Sequence, residues 1–192
     1  MKKVEHGKTF DRNAANPPAF EIFHNTVTEG YPEHWHTAIE IIMPTRGEYE
    51  VVVGKDSYNL KEGDIIMINS GVVHGMRFVS QGERIVMLVE PGCVENQEEM
   101  ETIFLRLPAI YFKKEDEEDP FYLFLRSQIL ELVREYDNEG AVMTHRICTG
   151  LKELFSEFGR KGFSDANAQN TFGAMKQQEY IEAVLSVCRY IN

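Results

Sequence analysis

Short runs of β-branched, aromatic and other apolar residues recur between Phe20 and Val89, and turns that contain glycine separate them. Apolar runs bounded by turn residues are typical of β-strands. The pattern predicts strands at residues 20–27, 37–44, 49–53, 57–60, 64–68, 72–78 and 84–89. Because no helical period interrupts this series, we expect an antiparallel β-barrel or jelly roll.

The pattern changes to a helical period after Pro91. Residues 94–107 carry an acidic helical pattern, and two longer amphipathic stretches follow at 121–136 and 141–158. The loop between these two stretches is short, which predicts an antiparallel helical hairpin. Its apolar face either covers one wall of the barrel or forms the surface of a homodimer.

The same patterns divide the chain into segments. We predict an N-terminal arm at 1–19, a β-barrel at 20–92, a helical region with the hairpin at 93–159, a linker at 160–173 and a C-terminal helix at 174–192. The predicted fold class is therefore mainly β with α. An antiparallel β-barrel or jelly roll comes first, and an antiparallel helical hairpin and a C-terminal helix follow it.

Composition and charge narrow the classes of function. The formal net charge is -11, from 20 Lys and Arg against 31 Asp and Glu, so phosphate backbones would repel this chain and we do not expect it to bind DNA by itself.

Cys93, Cys148 and Cys188 lack the spacing of a zinc or redox motif, which favours free thiols in a reducing compartment. No secretory signal and no apolar run of about eighteen residues is found, so we predict a cytoplasmic protein without a membrane partner.

The candidate chemistry lies between Gly30 and Gly75, where His34, His36 and Glu40 occupy even positions. Successive residues of a strand point to opposite faces, so these three side chains are predicted to share one strand face, and His74 is predicted to reach them from another strand. Imidazole and carboxylate are ligands for Zn, Ni, Fe or Mn. Two hypotheses stay open: the four residues bind a divalent metal, or they line a polar pocket that binds a small molecule directly.

The spacing of these residues resembles the two signature motifs of the cupin superfamily. The first motif is H-x-H-x3-E-x6-G, from His34 to Gly47, and the second is G-x5-N-x-G-x2-H, from Gly63 to His74. Cupins usually have proline at the position of Asn69, which is a turn residue and not a ligand. The resemblance implies a cupin barrel with candidate metal ligands His34, His36, Glu40 and His74.

Nearly the whole chain resembles the regulatory half of an AraC-type transcription regulator. The segments HWH (34–36), GEYEVVVGKDSYNLKEGDIIMINSGVVH (47–74) and YIN (190–192) lie where that family has its equivalents. The resemblance implies a non-enzymatic homodimer that senses a small-molecule effector, for example a sugar-like molecule, in the barrel. It also implies contact with DNA only through a missing C-terminal helix-turn-helix part, so that 174–192 would be the first helix of that part. The alternative function is a metal-dependent cupin enzyme, such as a dioxygenase or an isomerase.

Overall fold

The computed structural model of the protein describes residues 19–26, 30–93, 109–114, 118–138 and 140–161. The predicted arm at 1–19 except its last residue, the helical pattern at 94–107, the predicted linker at 160–173 except its first two residues, and the predicted helix at 174–192 lie outside the described residues.

Nine strands and two helices form the described part of the chain. The strands are β1 (Phe20–Asn25), β2 (Tyr31–His34), β3 (Ile39–Arg46), β4 (Tyr49–Val53), β5 (Asp56–Leu60), β6 (Ile65–Ile68), β7 (His74–Phe78), β8 (Glu83–Val89) and β9 (Ala109–Phe112). The helices are α1 (Pro120–Asp137) and α2 (Met143–Lys161), and a short 3-10 turn lies at Pro91–Cys93. No helix among these residues has the length and apolar character that a membrane crossing needs.

The seven predicted strands are all present, with ends shifted by a few residues, and two strands were missed. β2 is exposed along most of its length and contains Pro32, a residue that is tolerated because β2 is an edge strand. β9 has only four residues, all half-buried, which is too short for a clear period. It falls in the region predicted as helical and extends the sheet beyond residue 92, because it pairs with β6.

The strands form two antiparallel sheets. The five-stranded sheet has the order β1-β8-β3-β6-β9, and the four-stranded sheet has the order β2-β7-β4-β5. Gly47 and Gly54 have positive φ values of 79° and 59° at two of the predicted turns. Apolar side chains from the facing sides of both sheets form the inner core, namely Ile42, Tyr49, Val51, Val53, Leu60, Ile66, Ile68, Val72, Met76 and Val86.

The helical hairpin covers the outer face of the five-stranded sheet. Asp119 caps α1 by accepting a 2.9 Å hydrogen bond from the backbone N–H of Phe121, and Pro120 occupies the first turn. The stripe of α2 that includes Leu151 and Leu154 is fully buried in one cluster with outward residues of the sheet. Of the two predicted roles of this apolar face, the structure favours the covering of a barrel wall, because the stripe is already buried within the chain.

Candidate functional site

The four residues predicted as ligands form one cluster near one end of the barrel. One potential ligand atom from each of His34, His36, Glu40 and His74 lies within 4.8 Å of the others. His36, Glu40 and His74 are buried, whereas His34 is half-exposed. The cluster therefore has three enclosed side chains and one side, at His34, that reaches towards the surface.

The predicted reason for this convergence is wrong. His34 ends β2 in the four-stranded sheet, and Glu40 belongs to β3 in the five-stranded sheet. His36 lies in the connection between them, so the three residues do not share the face of one strand. They meet because the chain crosses from one sheet to the other between residues 35 and 38.

Pairing between neighbouring segments brings the fourth residue to this crossing. His74 is directly opposite His34 in the antiparallel pair of β2 and β7. The backbone N–H of Gly71 donates a 2.8 Å hydrogen bond to the carbonyl of His36. Gly71 has φ of 73°, a conformation that glycine adopts without strain. The glycine and the histidine of the second motif thus fix the position of the first motif.

Each of the three imidazoles has its Nδ1 atom next to a backbone carbonyl two residues away. The distances are 2.9 Å from His34 to Pro32, 2.9 Å from His36 to Ala38 and 2.8 Å from His74 to Val72. A carbonyl only accepts, so each Nδ1 carries a proton and donates it. This hydrogen bond fixes the tautomer of each ring, as the corresponding hydrogen bond does in metal-binding histidines. It also directs the Nε2 atoms of His36 and His74 at Glu40.

Glu40 receives both of these Nε2 atoms on one oxygen. Its Oε2 atom lies 3.0 Å from Nε2 of His36 and 2.8 Å from Nε2 of His74. Burial raises the pKa of Glu40, but the hydrogen bonds and charges of the two rings outweigh burial and lower this pKa to about 2. Burial also lowers the pKa of His34, which favours the neutral ring.

The donor set fits a divalent transition-metal ion. Because both Nδ1 atoms are protonated, Nε2–H donation from His36 and His74 to Glu40 would require two imidazolium rings beside one carboxylate. A divalent cation carries the same charge as those two protons and leaves both rings neutral, which is the state in which imidazole binds metal. Three imidazoles and one carboxylate suit Zn, Ni, Fe or Mn and leave coordination positions open.

A second buried ionic group lies in the barrel, and the sequence analysis missed it. Arg84 on β8 is 1% exposed, and its guanidinium carbon lies 5.9 Å from the ring centre of Tyr31 and 4.9 Å from that of Tyr49. Burial lowers the pKa of Arg84, and the neighbouring Tyr49, Tyr31 and Glu40 oppose this effect. Arg84 shares the strand face of Val86 and Leu88 in ERIVMLV, and this position on an inward face was the signal that could have indicated it.

Comparison with known proteins identifies the fold. Residues 25–90 match the family model of the Cupin domain. A substituted apo form of ToxT from Vibrio cholerae strain SCE256 aligns with a TM-score of 0.50 and 12% identity over 76% of this chain and 58% of that chain. Comparison with the curated protein sequences finds no match.

Two other solved structures align with a smaller share of this chain. A conserved protein of unknown function from Streptococcus pyogenes has 18% identity and a TM-score of 0.34 over 38% of this chain and 63% of that chain. A variant of the oxalate decarboxylase OxdC from Bacillus subtilis has 18% identity and a TM-score of 0.33 over 37% of this chain and 20% of that chain. This chain thus spans less than two thirds of the length of each of these structures.

The predicted fold class is confirmed for the described part of the chain. The protein has a cupin-like fold, mainly antiparallel β, in which a helical hairpin follows and covers a two-sheet barrel.

Proposed function

We propose that this chain is the effector-sensing and dimerisation part of an AraC-type transcription regulator. It would bind a small molecule in the barrel beside His34, His36, Glu40 and His74. The observation that carries the proposal is the combination of a cupin-like barrel with a hairpin packed on its outer wall. ToxT from Vibrio cholerae aligns over 76% of this chain, which is more than the barrel alone. That likeness is one of fold, and the regulatory role is our extension of it together with the sequence motifs.

β3 offers a physical route from the pocket to the hairpin. Glu40 and Ile42 of β3 point into the barrel, whereas Ile39, Ile41 and Met43 point outward into the cluster that contains the hairpin. A shift of this strand on ligand binding therefore changes the surface on which the hairpin packs. A ligand drives such a change only if it binds the two arrangements with different affinities.

The same proposal assigns a divalent metal to the four-residue cluster. Zn, Ni, Fe or Mn would be held by His34, His36, Glu40 and His74, and the metal would supply a Lewis-acid centre for oxygen atoms of the effector. Backbone carbonyls accept hydrogen bonds from the Nδ1–H groups of His36 and His74 and so fix these two buried rings. The half-exposed His34 marks the side from which the effector enters. In this proposal the metal positions the effector and no turnover follows.

A thermal-shift screen tests the sensor function. Sugars, sugar acids and aromatic acids are added to metal-loaded protein, and a true effector at about a hundred times its dissociation constant stabilises the fold by about 2.7 kcal/mol. We expect one of these classes to raise the unfolding temperature while remaining chemically unchanged. Conversion of the bound compound by the metal-loaded protein would instead support the alternative, a metal-dependent dioxygenase or isomerase, for which the same four-residue cluster is the supporting observation.

A further inference from the structure

Arg84 is the buried group that the four-residue cluster does not explain. Its Nε and Nη1 atoms are both buried and have no hydrogen-bond partner among the described residues. An arginine stays charged in proteins, and a buried charge whose donors have no hydrogen-bond partner destabilises the folded state. The folded chain therefore carries a destabilising charge at a fixed place in the barrel.

The described carboxylates nearest in sequence and space have other partners. Glu83 lies 3.2 Å from Arg46, and Glu40 accepts from two histidines. The faces of Tyr31 and Tyr49 give Arg84 some cation–π stabilisation but leave its Nε and Nη1 atoms without a hydrogen-bond partner among the described residues. The hydroxyl of Tyr49 is likewise buried and has no hydrogen-bond partner of good distance and angle among the described residues. Two guanidinium nitrogens and one hydroxyl in the same part of the barrel thus lack an acceptor or donor from the described chain.

We propose that Arg84 binds the carboxylate of an organic-acid effector inside the barrel. The inference rests on the proposed sensor function and names its ligand class. A guanidinium offers two parallel N–H donors that match the two oxygens of a carboxylate, and this pairing is strongest where water is excluded. The bound acid supplies the hydrogen-bond acceptors that Nε and Nη1 of Arg84 lack among the described residues.

The position of Tyr31 places this acid next to the four-residue cluster. The Tyr31 ring is 6.2 Å from the ring centre of His34 and 5.9 Å from the guanidinium carbon of Arg84. One small molecule can therefore contact Arg84 with its carboxylate and extend past Tyr31 towards His34. Val86 lies on the same face of β8 as Arg84, and Val86 and its cross-strand partner Ile42 belong to the inner core, so the body of the acid is expected to be apolar or aromatic.

The first experiment measures the stability cost of Arg84. We compare the thermal unfolding of Arg84→Met with that of the wild type, using Arg77→Met as the matched control because Arg77 lies exposed on β7. If Arg84 serves a ligand, the ligand-free Arg84→Met variant unfolds at a higher temperature than the wild type, because it no longer buries an unpaired charge. If Arg84 is a structural residue, its replacement lowers the unfolding temperature, and the proposal is overturned.

The second experiment compares an acid with its neutral counterpart. Benzoate and hexanoate, each against its amide at equal concentration, are added to the wild type, Arg84→Met, Arg84→Lys and Arg77→Met. We expect a carboxylate to raise the unfolding temperature of the wild type and of Arg77→Met. The rise should be smaller for Arg84→Lys and absent for Arg84→Met. The amides should leave the unfolding temperature of all four proteins unchanged. Equal shifts for acid and amide, shifts retained by Arg84→Met, or no shift with either acid would overturn the inference. A sugar that stabilises Arg84→Met as well as the wild type would leave the sensor function standing while this inference fails.

Discussion

Burial acts differently on three charged residues of the barrel, namely Glu40, Arg84 and Glu21. Glu40 keeps its charge because two imidazoles contact it, whereas Arg84 has only aromatic faces beside it. Glu21 on β1 is half-buried, and its two neighbours Phe20 and Ile22 point outward to the hairpin, so its side chain lies on the inner side of the sheet. Burial raises the pKa of Glu21 above its ordinary value of 4.5.

The raised pKa of Glu21 predicts a pH-dependent stability difference for Glu21→Gln. A carboxyl whose pKa is raised in the folded state contributes stability that is present below the unfolded pKa and is lost as pH rises through the folded pKa. We therefore expect the variant to gain stability relative to the wild type between about pH 4 and about pH 7. Urea denaturation at both pH values measures this difference. The exposed Glu62→Gln controls for the loss of one negative charge, and a Glu21→Gln difference that does not grow with pH would contradict the assignment.

At the scale of strands and helices, long periodic segments were predictable and short or irregular ones were not. α1 and α2 differ from their predicted bounds by one to three residues, because their apolar stripes repeat over several turns and Asp119 and Pro120 mark a start. β9 has only four residues, which are too few to show the alternation of apolar and polar positions that predicts a strand. What packs against each stripe depends on the tertiary fold, so the hairpin's contact with the five-stranded sheet could not be decided from the sequence.

Leu154→Ala tests whether the hairpin covers the sheet. Leu154 is fully buried in the cluster that includes Ile39 and Met87 of the sheet, so its truncation leaves a cavity and is expected to cost about 3 kcal/mol of unfolding free energy. Leu123→Ala on α1 is the matched control, because Leu123 is 50% exposed and its truncation should change stability by less than about 0.5 kcal/mol. Denaturant unfolding measures both changes, and light scattering should show an unchanged oligomeric state for Leu154→Ala. A change of oligomeric state with little loss of stability would mean that this stripe is instead an intermolecular surface.

At the scale of the whole molecule, the four-residue cluster connects the two sheets. His34 and His74 belong to β2 and β7 of the four-stranded sheet, and Glu40 belongs to β3 of the five-stranded sheet. The sequence motifs predicted that these residues meet, and they do. The path was not predictable, because strand parity carries no information about a chain that leaves one sheet and enters another. Arg84 was missed for a related reason, since its place in the barrel follows from the pairing of β8 with β1 and β3.

A metal bound by this cluster would act as a crosslink between the two sheets. Any ligand that binds only the folded state stabilises it, by about 2.7 kcal/mol at roughly a hundred times the dissociation constant. We therefore expect zinc(II) or manganese(II) chloride to raise the unfolding temperature of chelator-treated wild type and of His145→Ala, in which an exposed histidine is lost. His74→Ala should show a smaller rise at the same ion concentration, because the site loses one of its four ligands and binds the ion more weakly. An equal rise in His74→Ala would place metal binding elsewhere in the chain. If neither ion stabilises the wild type, the alternative hypothesis, a polar pocket that holds its effector by hydrogen bonds from His36 and His74, becomes the better account of the cluster.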